Sequence, residues 1–229
     1  MSFLPEEKKR KRSQKEYVAY NPDDDEDLSK SEYKKSRAYI QEFLSNYGMK
    51  IQWTTRGELQ NEMSGGIDMS AFERLPNSLK NQADIYKKEK VYIVRDIKET
   101  IVIGGVITFT CRDQFKQKYT AIDYIEVLEE HRGKGIAKAL LLYCIKRNRP
   151  LYIPEGEVPH LYNTVGFVSL GGLNEQRSED SYPNIDMRCG SEYELTAHTM
   201  INLFPNRTLQ LDNVKDMFEQ YFNSESESE

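Results

Sequence analysis

Between Tyr119 and Ile145 the chain passes from an apolar run through a glycine turn into a second apolar run of different period. Ile122, Tyr124, Ile125 and Val127 carry the β-branched and aromatic content of a strand. Ala137, Leu140, Leu141, Cys144 and Ile145 recur at i, i+3, i+4, i+7 and i+8, the spacing of one apolar helical stripe. Gly133 and Gly135 therefore stand where a strand turns into a helix. Without Cβ atoms the backbone there can approach a ligand closely, and the first helical turn offers unpaired N–H groups at the positive end of its dipole. Such a turn can cradle a diphosphate. A dinucleotide fingerprint would need a third glycine where Lys138 stands, and the Gly-Lys-Ser/Thr of a P-loop is missing.

The string Arg132-Gly133-Lys134-Gly135-Ile136-Ala137 resembles the acetyl-CoA-binding motif of the GNAT superfamily of N-acyltransferases, Gln/Arg-x-x-Gly-x-Gly/Ala after the fourth strand, with Glu130 in the place of the family's Gln/Arg. Leu161-Tyr162-Asn163-Thr164-Val165-Gly166-Phe167 is similar to a second family string, Leu/Phe-Tyr-x-x-x-Gly-Phe, on the helix after the fifth strand. Pro154, Gly156 and Pro159 crowd the approach to Tyr162, so that helix is short or begins late. The asparagine that the family often carries in this segment is missing.

The resemblance implies an α/β (α+β) fold with a mixed, mostly antiparallel central sheet flanked by helices, and with helical additions at both ends. It implies acetyl-CoA as co-substrate, its diphosphate held by Arg132, Gly133, Lys134, Gly135, Ile136 and Ala137, and a backbone N–H near Val127 at the thioester. An amine acceptor attacks directly. Tyr162 falls on the tyrosine that protonates the departing thiolate, and the base is Asp123 or Glu126, Asp123 being preferred and Glu126 lying near the expected bulge. Gly135→Asp is expected to abolish acetyl-CoA binding and leave the fold largely intact.

The 229 residues, 38% of them hydrophobic, suffice for one large or two small domains. Opposite charge blocks, Lys8–Arg12 and Asp23–Asp27, make residues 1–30 a disordered charged tail. The acyltransferase-like domain is expected over 31–190, its motif-bearing core over about 90–189. A helical appendage follows over 191–223, read from one stripe through Tyr193, Ala197, Met200, Ile201 and Phe204 and another through Val214, Met217, Phe218, Tyr221 and Phe222. The Ser-Glu repeat of 224–229 reads as a disordered acidic tail. Met49 to Thr55 and Leu151 to Ile153 read as strands, Asn61 to Asp68 as loop, Ala71 to Lys90 as partly helical, and Phe167 to Leu170 and Ile185 to Cys189 as the last two strands.

A net charge of −5 argues against broad attachment to nucleic acid or an anionic membrane. No apolar run is long enough to span a bilayer, so a cytoplasmic protein is expected, or a nuclear one if Lys8–Arg12 serves as a localisation signal. Cys111, Cys144 and Cys189 are odd in number and widely spaced, which fits reduced core thiols, and no metal-ligand spacing is present. The competing function is a non-catalytic module of the same fold that binds another macromolecule through its C-terminal helices or charged tails. Transfer to an aminoacylated tRNA is a third reading, and the overall acidity weighs against it.

Overall fold

The computed structural model describes residues 23, 25–64, 66, 90–98, 101–112, 116–154, 158–170 and 198–223. Seven strands form one sheet in the order β1-β2-β3-β4-β5-β7-β6, with β1 Met49–Thr55, β2 Lys90–Asp96, β3 Val102–Arg112, β4 Lys118–Val127, β5 Leu151–Ile153, β6 Val168–Ser169 and β7 Met200–Asn202. Every neighbouring pair is antiparallel except β4 and β5, which run parallel and are joined by helix α3, Ile136–Cys144. This is the mixed, mostly antiparallel sheet with flanking helices that the resemblance implied.

Alternation along β2 sorts the two faces. Tyr92 and Val94 join the main core with α1 (Lys30–Asn46), α3 and the C-terminal helix α6 (Leu211–Asn223). Val91 and Ile93 turn the other way, where Leu59 of α2 (Arg56–Ser64) covers them. Helix α1 begins at Ser29, whose hydroxyl accepts from Glu32 N, and it ends before Gly48 at φ +68°, the left-handed residue that stops a helix. Helix α2 starts on a reciprocal box in which Thr55 N donates to Glu58 Oε2 and Glu58 N donates to Thr55 Oγ1. These contacts hold the Glu58 carboxyl below its ordinary range, the backbone bond from Thr55 contributing most.

Several expectations need correction. Residues 61–64 are the end of α2 rather than loop. Residues 25–29 are ordered parts of the molecule: Leu28 is fully buried, and the Asp25 carboxylate accepts from Asn206 N and Arg207 N at 2.9 and 3.0 Å, capping the short helix α5, Pro205–Thr208. Met200 and Ile201 belong to β7, which lies between β5 and β6, and Phe204 is the N-cap of α5, so the described part of the first stripe of the expected appendage is not one helix. Helix α6 is present and packs Val214 and Phe218 into the main core. Cys144 is a free buried thiol, but Cys111 is disulfide-bonded, against the expectation of three reduced cysteines. The expected strand at 185–189, the tails at 1–22 and 224–229 and the helical segment at 71–89 lie outside the described residues.

Candidate active site

The parallel pairing of β4 with β5 holds only at Thr120↔Leu151 and Ala121↔Tyr152. Beyond Ala121 the strands no longer pair, and a cavity of about 920 Å³ opens against residues 122–127 of β4 and Ile153 and Pro154 beyond the pair. Leu128 N donates to Ile103 O on β3, so strand alternation turns the N–H and C=O of Val127 to the opposite, cleft-facing edge. Arg132 Nε donates to Val127 O at 3.1 Å, which fixes the chain as it leaves the strand.

The glycine turn follows at once. Gly133 and Gly135 have φ of +80° and +74°, a region that side-chain-bearing residues rarely occupy. Gly135 is the N-cap of α3, no side chain caps that end, and no acidic residue stands in its first turn. Among the described residues the first-turn amides and the positive end of the helix therefore have no side-chain cap beside the cavity, an arrangement that suits an anion. A Cβ on Gly133 would meet nothing within 4 Å, whereas one on Gly135 would lie 3.0 Å from Phe43 Cζ and 3.1 Å from Tyr221 Cε2. The first glycine opens the cradle, and the second lets it pack on α1 and α6. Gly135→Asp would accordingly disturb the fold, which corrects the expectation that it would not.

Of the expected cofactor residues, Val127, Arg132, Gly133, Gly135, Ile136 and Ala137 line the cavity, and Lys134 does not. Tyr162 lines it from the opposite wall, on the five-residue helix α4, Pro159–Asn163. It is 5% exposed, with its ring 6.0 Å from that of Phe167. Gly166 in the same string has φ +78°, and a Cβ there would lie 2.9 Å from Thr208 Oγ1, so packing on the α5 turn demands the glycine.

Asp123 and Glu126 both line the cavity, each with a partner the residue pattern did not disclose. Arg56, at the start of α2 and 2% exposed, places Nη2 3.6 Å from Asp123 Oδ2. Tyr124 OH donates to Glu126 Oε2. The bulge falls at Asp123 rather than near Glu126: Ile107 pairs with Tyr124 and Thr108 with Ile122, leaving Asp123 as the extra residue. His131 and His160 also line the cavity, as do Lys138 and Tyr221, none of which was among the expected site residues. Cys144 is no candidate nucleophile, since full burial pushes its thiol well above the ordinary range, against the opposing pull of Arg37 and Lys146.

Residues 56–151, from α2 to the first residue of β5, match the family model described as the acetyltransferase (GNAT) family. Over that span the chain is similar to the GNAT acetyltransferases. The matched span includes β4, the glycine turn and α3, and it ends before Tyr162. Among curated proteins none matches the chain. Solved structures similar to it include an aminoglycoside acetyltransferase from an uncultured soil metagenomic sample, at 16% identity over 41% of this chain and TM-score 0.31; the alignment spans 66%, just under two thirds, of that protein. Arabidopsis thaliana Naa50 in complex with a bisubstrate analogue is 16% identical over 53% of this chain and 84% of its own, with TM-score 0.38. The Bacillus subtilis N-acetyltransferase YlbP in complex with coenzyme A is 12% identical over 67% and 95%, with TM-score 0.41.

No helix among the described residues is long and apolar enough to cross a membrane.

Proposed function

We propose that the protein is an acetyl-CoA-dependent N-acetyltransferase that transfers the acetyl group to an amine of a protein or small molecule by direct attack. One observation carries the reading: the uncapped start of α3, the unpaired edge of β4 and the hydroxyl-bearing Tyr162 border a single cavity. The amides from Gly133 to Ala137 would hold the diphosphate, and the Val127 N–H would steady the thioester carbonyl. The bound thioester supplies the acetyl group. The residues of this chain do the rest: a carboxylate takes the proton from the amine, and Tyr162 gives one to the leaving sulfur. The site reaches beyond position 190 in the chain, since Tyr221 of α6 lines the same cavity.

Of the two carboxylates, Glu126 is the better base. Asp123 is held in an ion pair with the buried Arg56 guanidinium, whereas the Glu126 carboxylate accepts from a neutral partner, the Tyr124 hydroxyl. The acceptor is read from assays of thioester consumption over a panel of amines and peptides, with Glu126→Gln and Asp123→Asn alongside the unaltered protein. Turnover with at least one amine, reduced by roughly 10²-fold or more in Glu126→Gln and less in Asp123→Asn, is expected. Acetyl-CoA binding without consumption across the panel would instead favour a binding module.

A further inference from the structure

The cavity lining does not end with the two family strings. It takes in Tyr221, on the last turn of α6, nearly sixty residues beyond Tyr162 in the chain. Tyr221 is held in place from several sides. Its ring lies 5.9 Å from that of Phe43 and 6.1 Å from that of Phe218, and its carbonyl accepts from Tyr47 OH at 3.3 Å. Lys138, in the first turn of α3, donates from Nζ to Met217 O at 2.7 Å and places that cation 5.2 Å from the Tyr221 ring centroid. The cradle and α6 are thus joined by a charged hydrogen bond and an aromatic contact at the place where an anion would sit.

We infer that α6 is a wall of the acyl-donor site and that the Tyr221 ring contacts the bound acyl-CoA beside its phosphate cradle, with Lys138 linking helix and ligand. This rests on the acetyl-CoA reading above. A helix that borders the site only when seated will be held down by the ligand, because binding to the closed arrangement stabilises it. Two ring contacts and a buried cation make the seat of Tyr221 rigid enough to present a face rather than a mobile side chain. Burial alone lowers the Lys138 ammonium from its ordinary range, and a phosphate nearby would oppose that shift.

The test uses the full chain and coenzyme A. Calorimetry is run on the unaltered protein and on Tyr221→Ala, and hydrogen exchange is followed in the unaltered protein with and without saturating coenzyme A. Affinity is expected to fall by about tenfold or more in Tyr221→Ala, the scale for loss of a buried aromatic anchor. Amides 217–223 are expected to gain more protection from coenzyme A than those of α2 on the opposite face of the sheet. Equal affinity in a folded Tyr221→Ala, or protection in α6 no greater than in α2, overturns the inference while leaving the acetyl-CoA reading in place. Should Tyr221→Ala not fold, the exchange measurement decides alone. Absence of coenzyme A binding to the unaltered protein overturns both.

Discussion

At the scale of single residues, the two glycines of the cradle have separate jobs, and that separation makes the site testable. Gly133 opens onto space, and Gly135 presses on Phe43 and Tyr221. Asn and Asp are the side chains that best tolerate the left-handed region, so Gly133→Asn and Gly133→Asp form a pair that differs in charge and not in backbone demand. Gly133→Asp is expected to lose acetyl-CoA binding by about tenfold more than Gly133→Asn, because it brings a negative charge to the diphosphate position. Equal losses measured by titration would mean that no anion sits there. Tyr162→Phe keeps the ring that packs against Phe167. Single-turnover kinetics should show a fall of roughly 10²-fold or more with acetyl-CoA affinity nearly unchanged, and a rate like the unaltered protein's would remove the proposed acid. The motif residues were legible because local chain geometry dictates them. The partners of Asp123 and Glu126 were not, since Arg56 reaches Asp123 from a distant helix and the bulge that displaces Asp123 is set by pairing with β3.

At the scale of elements, legibility followed the range of the interactions. Helix α1 and strands β1 to β4 carry their own periodicity and sit where the residues implied. Strand β7 does not: Met200 and Ile201 fit a helical stripe equally well, and pairing with the edges of β5 and β6 makes the segment a strand. Helix α2 starts on the Thr55-Arg56-Gly57-Glu58 capping box, but its apolar content is too low to announce a helix and none was expected there. The turn after α3 yields a prediction of its own. Burial, helped by Arg149 and Lys90, pulls the Lys146 ammonium down to about 8 from 10.5. Between those two values the unfolded chain binds more protons than the folded one, so this group makes stability rise with pH across the window, and below it the folded state bears the buried charge. Thermal unfolding at pH 8 and pH 10 should therefore show a larger gain in the unaltered protein than in Lys146→Met. An identical pH dependence in the two would show that folding does not depress the Lys146 ammonium.

At the scale of the whole molecule, segments far apart in sequence complete one body around the site. Asp25 caps α5, Ser36 of α1 donates to Leu209 O at 2.7 Å, and α6 lies against α1 with the Phe43 and Phe218 rings 4.2 Å apart. The acidic block near the N-terminus reads as solvated tail because its function depends on the N–H groups of Asn206 and Arg207, which no local pattern discloses. Leu28 is accordingly part of the core, and Leu28→Ala should cost about 2–5 kcal/mol in denaturant unfolding, as at other buried leucines. A change within a few tenths of a kcal/mol would return that segment to the tail. The central claim is that this assembly holds acetyl-CoA in the cleft between β4 and β5. Isothermal calorimetry of acetyl-CoA into the full, folded chain tests it most directly: the account requires saturable binding at one site per chain, and no measurable binding by a demonstrably folded protein would contradict it.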